Sequence, residues 1–152
     1  MSRSTLPQGF SEAAVIVADA TRRNYGRLAE SVIFSKQPAF DELGEVWNDC
    51  HNPNWDAHGA EPVERETLRN VYLFIEALPH GYPLPSVGAE PDGHVTLEWY
   101  RATNWVLSVS VSPEGVLYYA ALLGDEDPRG TCRFDGEVPN TILFWIRRVC
   151  AA

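Results

Sequence analysis

Asp56 and His58 stand two residues apart inside the stretch Asn54-Trp55-Asp56-Ala57-His58-Gly59-Ala60-Glu61-Pro62. An acid and an imidazole at that spacing could share a proton as an acid/base pair, or could join His51 as metal ligands. The competing reading is a rigid corner. Trp55 then plugs the core, Asp56 caps or ties the loop backbone, Gly59 supplies a positive φ, and Pro62 launches the next helix. The corner is preferred, because no HxxxH, HExxH or CxxC spacing supports a metal.

A second set of candidates comes from strand periodicity after Asp92-Gly93. Val95, Leu97 and Trp99 alternate with Thr96, Glu98 and Tyr100, and Trp105, Leu107, Val109 and Val111 alternate with Val106, Ser108, Ser110 and Ser112. A three-residue loop at 102–104 pairs Trp99 with Leu107, Leu97 with Val109 and Val95 with Val111. A three-residue loop at 113–115 pairs Val111 with Leu117 and Val109 with Tyr119. Those registers bury one face and leave Thr96, Glu98, Tyr100, Ser108, Ser110 and Tyr118 on the other. Tyrosines beside small hydroxyl residues suit a protein- or ligand-contacting surface. An ordinary solvated sheet face is the simpler alternative. Glu98, the only acid centred there, has no partner that would make it catalytic. If the register holds, Trp99→Ala costs roughly 3–5 kcal/mol, and Ser110→Ala is near neutral on a wet face.

Other chemistry is excluded by pattern. No G-x-S-x-G and no glycine-rich phosphate loop occurs, and no cofactor or metal is expected. Cys50, Cys132 and Cys150 fall in segments that read as core-facing or terminal, and their odd number and wide spacing argue against a disulfide framework. The acidic run Asp125-Glu126-Asp127 reads as a solvated loop. His80 and His94 flank a proline-rich connection and read as surface residues.

The elements that must position these groups follow from length and pattern. A chain of 152 residues, 45% hydrophobic and 22% charged, suits one globular domain. Residues 1–10 read as a flexible leader and 11–152 as one α+β domain, with 11–38 a helical extension and 39–150 the core. Helical spacing predicts helices over 21–34, 39–50 and 64–78, and Pro38 is expected to end the first unit. Asp41 and Glu42 are read into the first turn of the second helix, where the dipole favours acids. The proline-bearing segment 79–92 reads as a stiff extended connection. Strands follow, the last near 129–134, and then a final helix with Pro139 in its first turn. The expected architecture is a four-stranded antiparallel meander with helices on one face and a C-terminal helix.

The net charge of −9, with Lys36 as the single lysine, disfavours nonspecific binding to nucleic acid or an anionic membrane. No apolar run is long enough to span a bilayer, and the N-terminus lacks a signal-peptide core. With the cysteine usage, this points to the cytoplasm.

The N-W-D-x-x-G-A-x-P loop, the helix ending at Leu78-Pro79, Pro85, the Asp92-Gly93 turn and the Leu97-Glu98-Trp99 strand together resemble a family of small, uncharacterised bacterial proteins. The resemblance covers roughly residues 40–148. It implies no catalytic residue, and His58 fills a position that the motif leaves free.

The function expected from these readings is a non-enzymatic, acidic interaction module that docks a protein partner, of the antitoxin, immunity or anti-CRISPR-like inhibitor type. The alternative is a small hydrolase or ligand-binding domain centred on Asp56 and His58. A homodimer through the open sheet face is compatible with either.

Overall fold

The structure, a computed structural model, describes residues 35–151. The expected leader and the 21–34 helix lie outside that span. Among the described residues two helices come first, α1 (Gln37–Cys50) and α2 (Arg65–Ala77). Five strands follow: β1 (Ser86–Ala89), β2 (Val95–Ala102), β3 (Trp105–Val111), β4 (Val116–Leu123) and β5 (Arg129–Arg133). The helix α3 (Asn140–Cys150) comes last. The strands form one antiparallel sheet in sequence order.

The apolar stripes dictate how the layers meet. Phe40, Leu43 and Trp47 of α1, Leu68, Val71 and Ile75 of α2, and Ile142, Ile146 and Val149 of α3 are all buried. They share one core with Val95, Leu97, Trp99, Leu107, Val109, Val111 and Leu117 of the sheet. Among the described residues, alternation along each strand then leaves the other face of the sheet without a covering layer. Among the described residues, no helix is long and apolar enough to cross a membrane.

The expected pairings hold: Trp99 faces Leu107, Leu97 faces Val109, Val95 faces Val111, Val111 faces Leu117 and Val109 faces Tyr119. The β2–β3 loop is tighter than expected, because Ala102 pairs with Trp105 and the register shifts between Tyr100 and Ala102. An irregularity there absorbs the extra residue without moving the apolar pairs to the wrong face.

The sheet has five strands rather than four. The extra one, β1, lies in the segment read as a stiff connection. Its four residues show no alternation, yet Ala89 pairs with Val95 and Val87 with Leu97. The turn between them explains the pairing. Glu90 N–H donates to the His94 carbonyl at 2.9 Å, Gly93 N–H donates back to the Glu90 carbonyl at 2.9 Å, and Gly93 takes φ +87°. The Glu42 carboxylate of α1 accepts the Val87 N–H at 3.2 Å. The helix thereby satisfies an edge-strand donor that could otherwise pair with another chain.

Two smaller expectations are also corrected. Pro38 does not end a unit but lies in the first turn of α1, where a missing N–H costs nothing. With the helix starting that early, Asp41 and Glu42 fall beyond its first turn. Asp41 accepts a hydrogen bond from Gln37 Nε2 instead.

Candidate functional site

The open face is built from cross-strand rows. Thr96 pairs with Ser110, Ser110 with Tyr118, and Tyr118 with Thr131. In the neighbouring row Ser86, Glu98, Ser108, Ala120 and Arg129 stand in register. Small side chains at Ser108, Ser110, Thr96 and Ala120 leave room that Tyr118, Arg129 and Glu90 border. The result is a groove of about 490 Å³. Of the candidates read from strand periodicity, the groove brings together Thr96, Ser108, Ser110 and Tyr118. Glu98 and Tyr100 do not line it. Tyr100 sits further along, in the row of Val106 and Leu122. Among the described residues, three large apolar side chains are solvent-exposed on this face: Tyr100 at 63%, Tyr118 at 47% and Leu122 at 44%.

One end of the groove carries a polar network. Ser110 Oγ donates to Glu90 Oε2 at 2.5 Å and lies 3.1 Å from His94 Nδ1. With its proton committed to the carboxylate, the hydroxyl accepts from the imidazole, so Nδ1 carries hydrogen. Asp92 Oδ2 is 3.6 Å from the same nitrogen, and Asp92 Oδ1 accepts the His94 N–H at 3.0 Å. The imidazole stacks on Tyr118, with centroids 5.9 Å apart and planes inclined by 15°. These contacts fix the ring. They also rule out Ser110 as a nucleophile activated by His94 in this arrangement, because its proton faces Glu90.

Glu90, Asp92 and His94 are the residues that reading for alternation passed over. The signal was present in the sequence. Pro91-Asp92-Gly93 is a hairpin turn, and a hairpin brings the residues flanking its turn side by side. Glu90 and His94 are those flanking residues.

Asp56 and His58 have a different setting. Asp56 Oδ1 accepts the N–H groups of His58 at 2.8 Å and Ala60 at 3.0 Å. Those amides, His58 first, hold the carboxyl below its ordinary range, against a smaller opposing effect of burial. The His58 side chain is exposed. Trp55 packs against the core and donates its indole N–H to the Glu61 carbonyl at 2.7 Å. Asn54 at φ +60°, Ala57 at φ +63° and Gly59 at φ +84° turn the chain. His51 stacks on Trp47 and does not join the pair.

The remaining candidates are accounted for locally. Asp127 lies 3.6 Å from Arg129, and Glu126 lies 3.6 Å from Arg148. Cys50 is buried, Cys132 and Cys150 are half-buried, and burial pushes all three thiols up from their usual range. Comparison with protein-family models, with curated proteins and with solved structures finds no match to this chain.

Proposed function

We propose that the protein is a binding module whose working surface is the open sheet face, and that its partner is another protein presenting a basic segment. The observation that carries this reading is the exposure of Tyr100, Tyr118 and Leu122 on a face that no other described element covers. Large amphipathic rings beside small hydroxyl side chains supply contact area and adaptable hydrogen bonds, as paratopes do. The net charge of −9 favours a cationic partner and speeds its encounter. Glu90, Asp92 and Glu98 put acids on the β1–β2 side of this face, while Arg129 and Arg133 fringe the β5 edge and would orient the partner. Among the described residues the other exposed large apolar side chain, Phe144 on α3, is approached by the Arg148 guanidinium at 5.9 Å and is less available for docking.

The test is face-specific recovery from the native host. Wild-type protein should retain a stoichiometric partner whose affinity falls as salt rises. A Tyr100→Ala/Tyr118→Ala variant should lose it, and Phe144→Ala should keep it. Loss on Phe144→Ala with retention by the tyrosine variant would move the binding surface to the helical side. If sedimentation showed self-association that the tyrosine variant abolishes, the occupant would be a second copy and the basic partner would be discarded.

A further inference from the structure

We propose that Glu90, Asp92 and His94 form a binding site for one divalent first-row transition-metal ion. The inference stands apart from partner docking and does not depend on it. One ligand atom from each of the three residues lies within 4.8 Å of the others. A tetrahedral ion with ligands at about 2.0–2.2 Å separates its donor atoms by roughly 3.4 Å. The 3.6 Å between Asp92 Oδ2 and His94 Nδ1 is already close to that. Asp92 is exposed on the turn, and Glu90 is a long, half-buried side chain, so rotation of the two carboxylates closes the remaining gap.

Two further observations separate this cluster from a chance gathering of surface acids. The first is the imidazole. Its Nδ1 points into the group rather than away from it, 3.6 Å from Asp92 Oδ2, and stacking on Tyr118 holds the plane of the ring. An imidazole nitrogen with carboxylate oxygens suits zinc, cobalt, nickel or manganese better than calcium or magnesium, which take oxygen alone. The second is charge. Among the described residues, neither Glu90 nor Asp92 is ion-paired by a lysine or arginine. Two carboxylates match the charge of a divalent ion.

Binding shifts the imidazole hydrogen from Nδ1 to Nε2, so that the Nδ1 lone pair faces the ion and its hydrogen bond to Ser110 is given up. Ser110 keeps its bond to Glu90 and acts as a positioning residue for that carboxylate. Glu90 and Ser110 also line the groove, so the ion sits at its end and is reachable from it.

Titration of the full chain with Co²⁺ under reducing conditions tests the site, by calorimetry and by the visible spectrum of bound cobalt. Wild type should bind one ion per chain. His94→Ala and Glu90→Gln should each weaken binding tenfold or more, with the fold checked by near-ultraviolet circular dichroism. His58→Ala should leave binding unchanged. Ser110→Ala should weaken it less than either ligand variant. Three results would each overturn the proposal: uptake that is weak and non-stoichiometric, an adventitious ion only; binding that survives both ligand variants; or a thiolate-to-cobalt charge-transfer band, which would assign the ion to cysteine.

Discussion

The backbone N–H of Glu61 donates to the carbonyl of Pro91 at 2.8 Å. This bond joins the Asn54–Pro62 corner to the turn that carries Glu90, Asp92 and His94. Gly93 lies against the same corner, where a Cβ would stand 2.8 Å from the Pro62 carbonyl oxygen. The corner is therefore more than a spacer between α1 and α2. It holds the β1–β2 hairpin from outside, and the network on the open face inherits its rigidity.

Gly93→Ala tests this buttress. The residue takes φ +87°, and the added methyl would also meet backbone that cannot swing aside. The expected loss is about 2 kcal/mol or more. Gly81→Ala is the control. Gly81 has φ +94° but nothing within 4 Å of its would-be Cβ, so only the conformational cost of about 1 kcal/mol applies. Denaturant unfolding of both variants gives the comparison. Equal losses would mean that the contact with Pro62 adds nothing to the stability of the turn.

Asp56 ties the corner through charge as well as shape. Hydrogen bonds from the His58 and Ala60 amides depress its carboxyl below the ordinary range. A carboxyl with a depressed folded-state pKa contributes stability above its unfolded value, about 3.9. That contribution is lost as pH falls through the folded value. Asp56→Asn should therefore unfold earlier than wild type near neutrality, and the two midpoints should converge under acid. A pH-independent gap between them would assign the effect to packing alone.

Much of this fold is legible in the chain because alternation and helical stripes report burial directly. Val95, Leu97 and Trp99 against Leu107, Val109 and Val111 permit one register, and a one-residue slip would put serines in the core. The strand β1 was hidden for a physical reason. Ser86-Val87-Gly88-Ala89 carries its pairing in the backbone and in Glu42 of α1, not in side-chain pattern. Turn chemistry held the missing clue. Glu90-Pro91-Asp92-Gly93-His94 repeats the form of Ser112-Pro113-Glu114-Gly115-Val116, and both turns close with the same pair of backbone bonds. Reading the second as a hairpin and the first as a mere boundary cost a strand and the Glu90–His94 pair.

That network changes what Ser110 is worth. A solvated serine would tolerate alanine with little effect, but Ser110 is half-buried between Glu90 and His94. Ser110→Ala should cost about 1.5–3 kcal/mol, as hydrogen bonds to charged groups do. Trp99→Ala should still cost more, about 3–5 kcal/mol, because it empties the core beside Phe74 and strands the Pro83 carbonyl that its indole serves. Unfolding free energies of the two variants rank them. A larger loss at Ser110 would contradict the burial pattern of the sheet.

Glu76 predicts a gain rather than a loss. Lys36 is 4% exposed, and its ammonium donates to the carbonyls of Glu76 and Leu78 at 2.6 Å each, closing the end of α2. Glu76 Oε2 is buried there with no hydrogen-bond partner. Burial raises the Glu76 carboxyl above its ordinary range, and attraction to Lys36 only partly opposes this. A raised carboxyl favours the folded state below its unfolded value of about 4.3, and that advantage disappears as pH rises through the folded value. At neutral pH the charged form is therefore a burden. Glu76→Gln should raise the thermal midpoint at pH 7, and the gain should vanish as wild-type Glu76 takes up its proton in acid. A lower midpoint for Glu76→Gln at pH 7 would show that attraction to Lys36 outweighs desolvation.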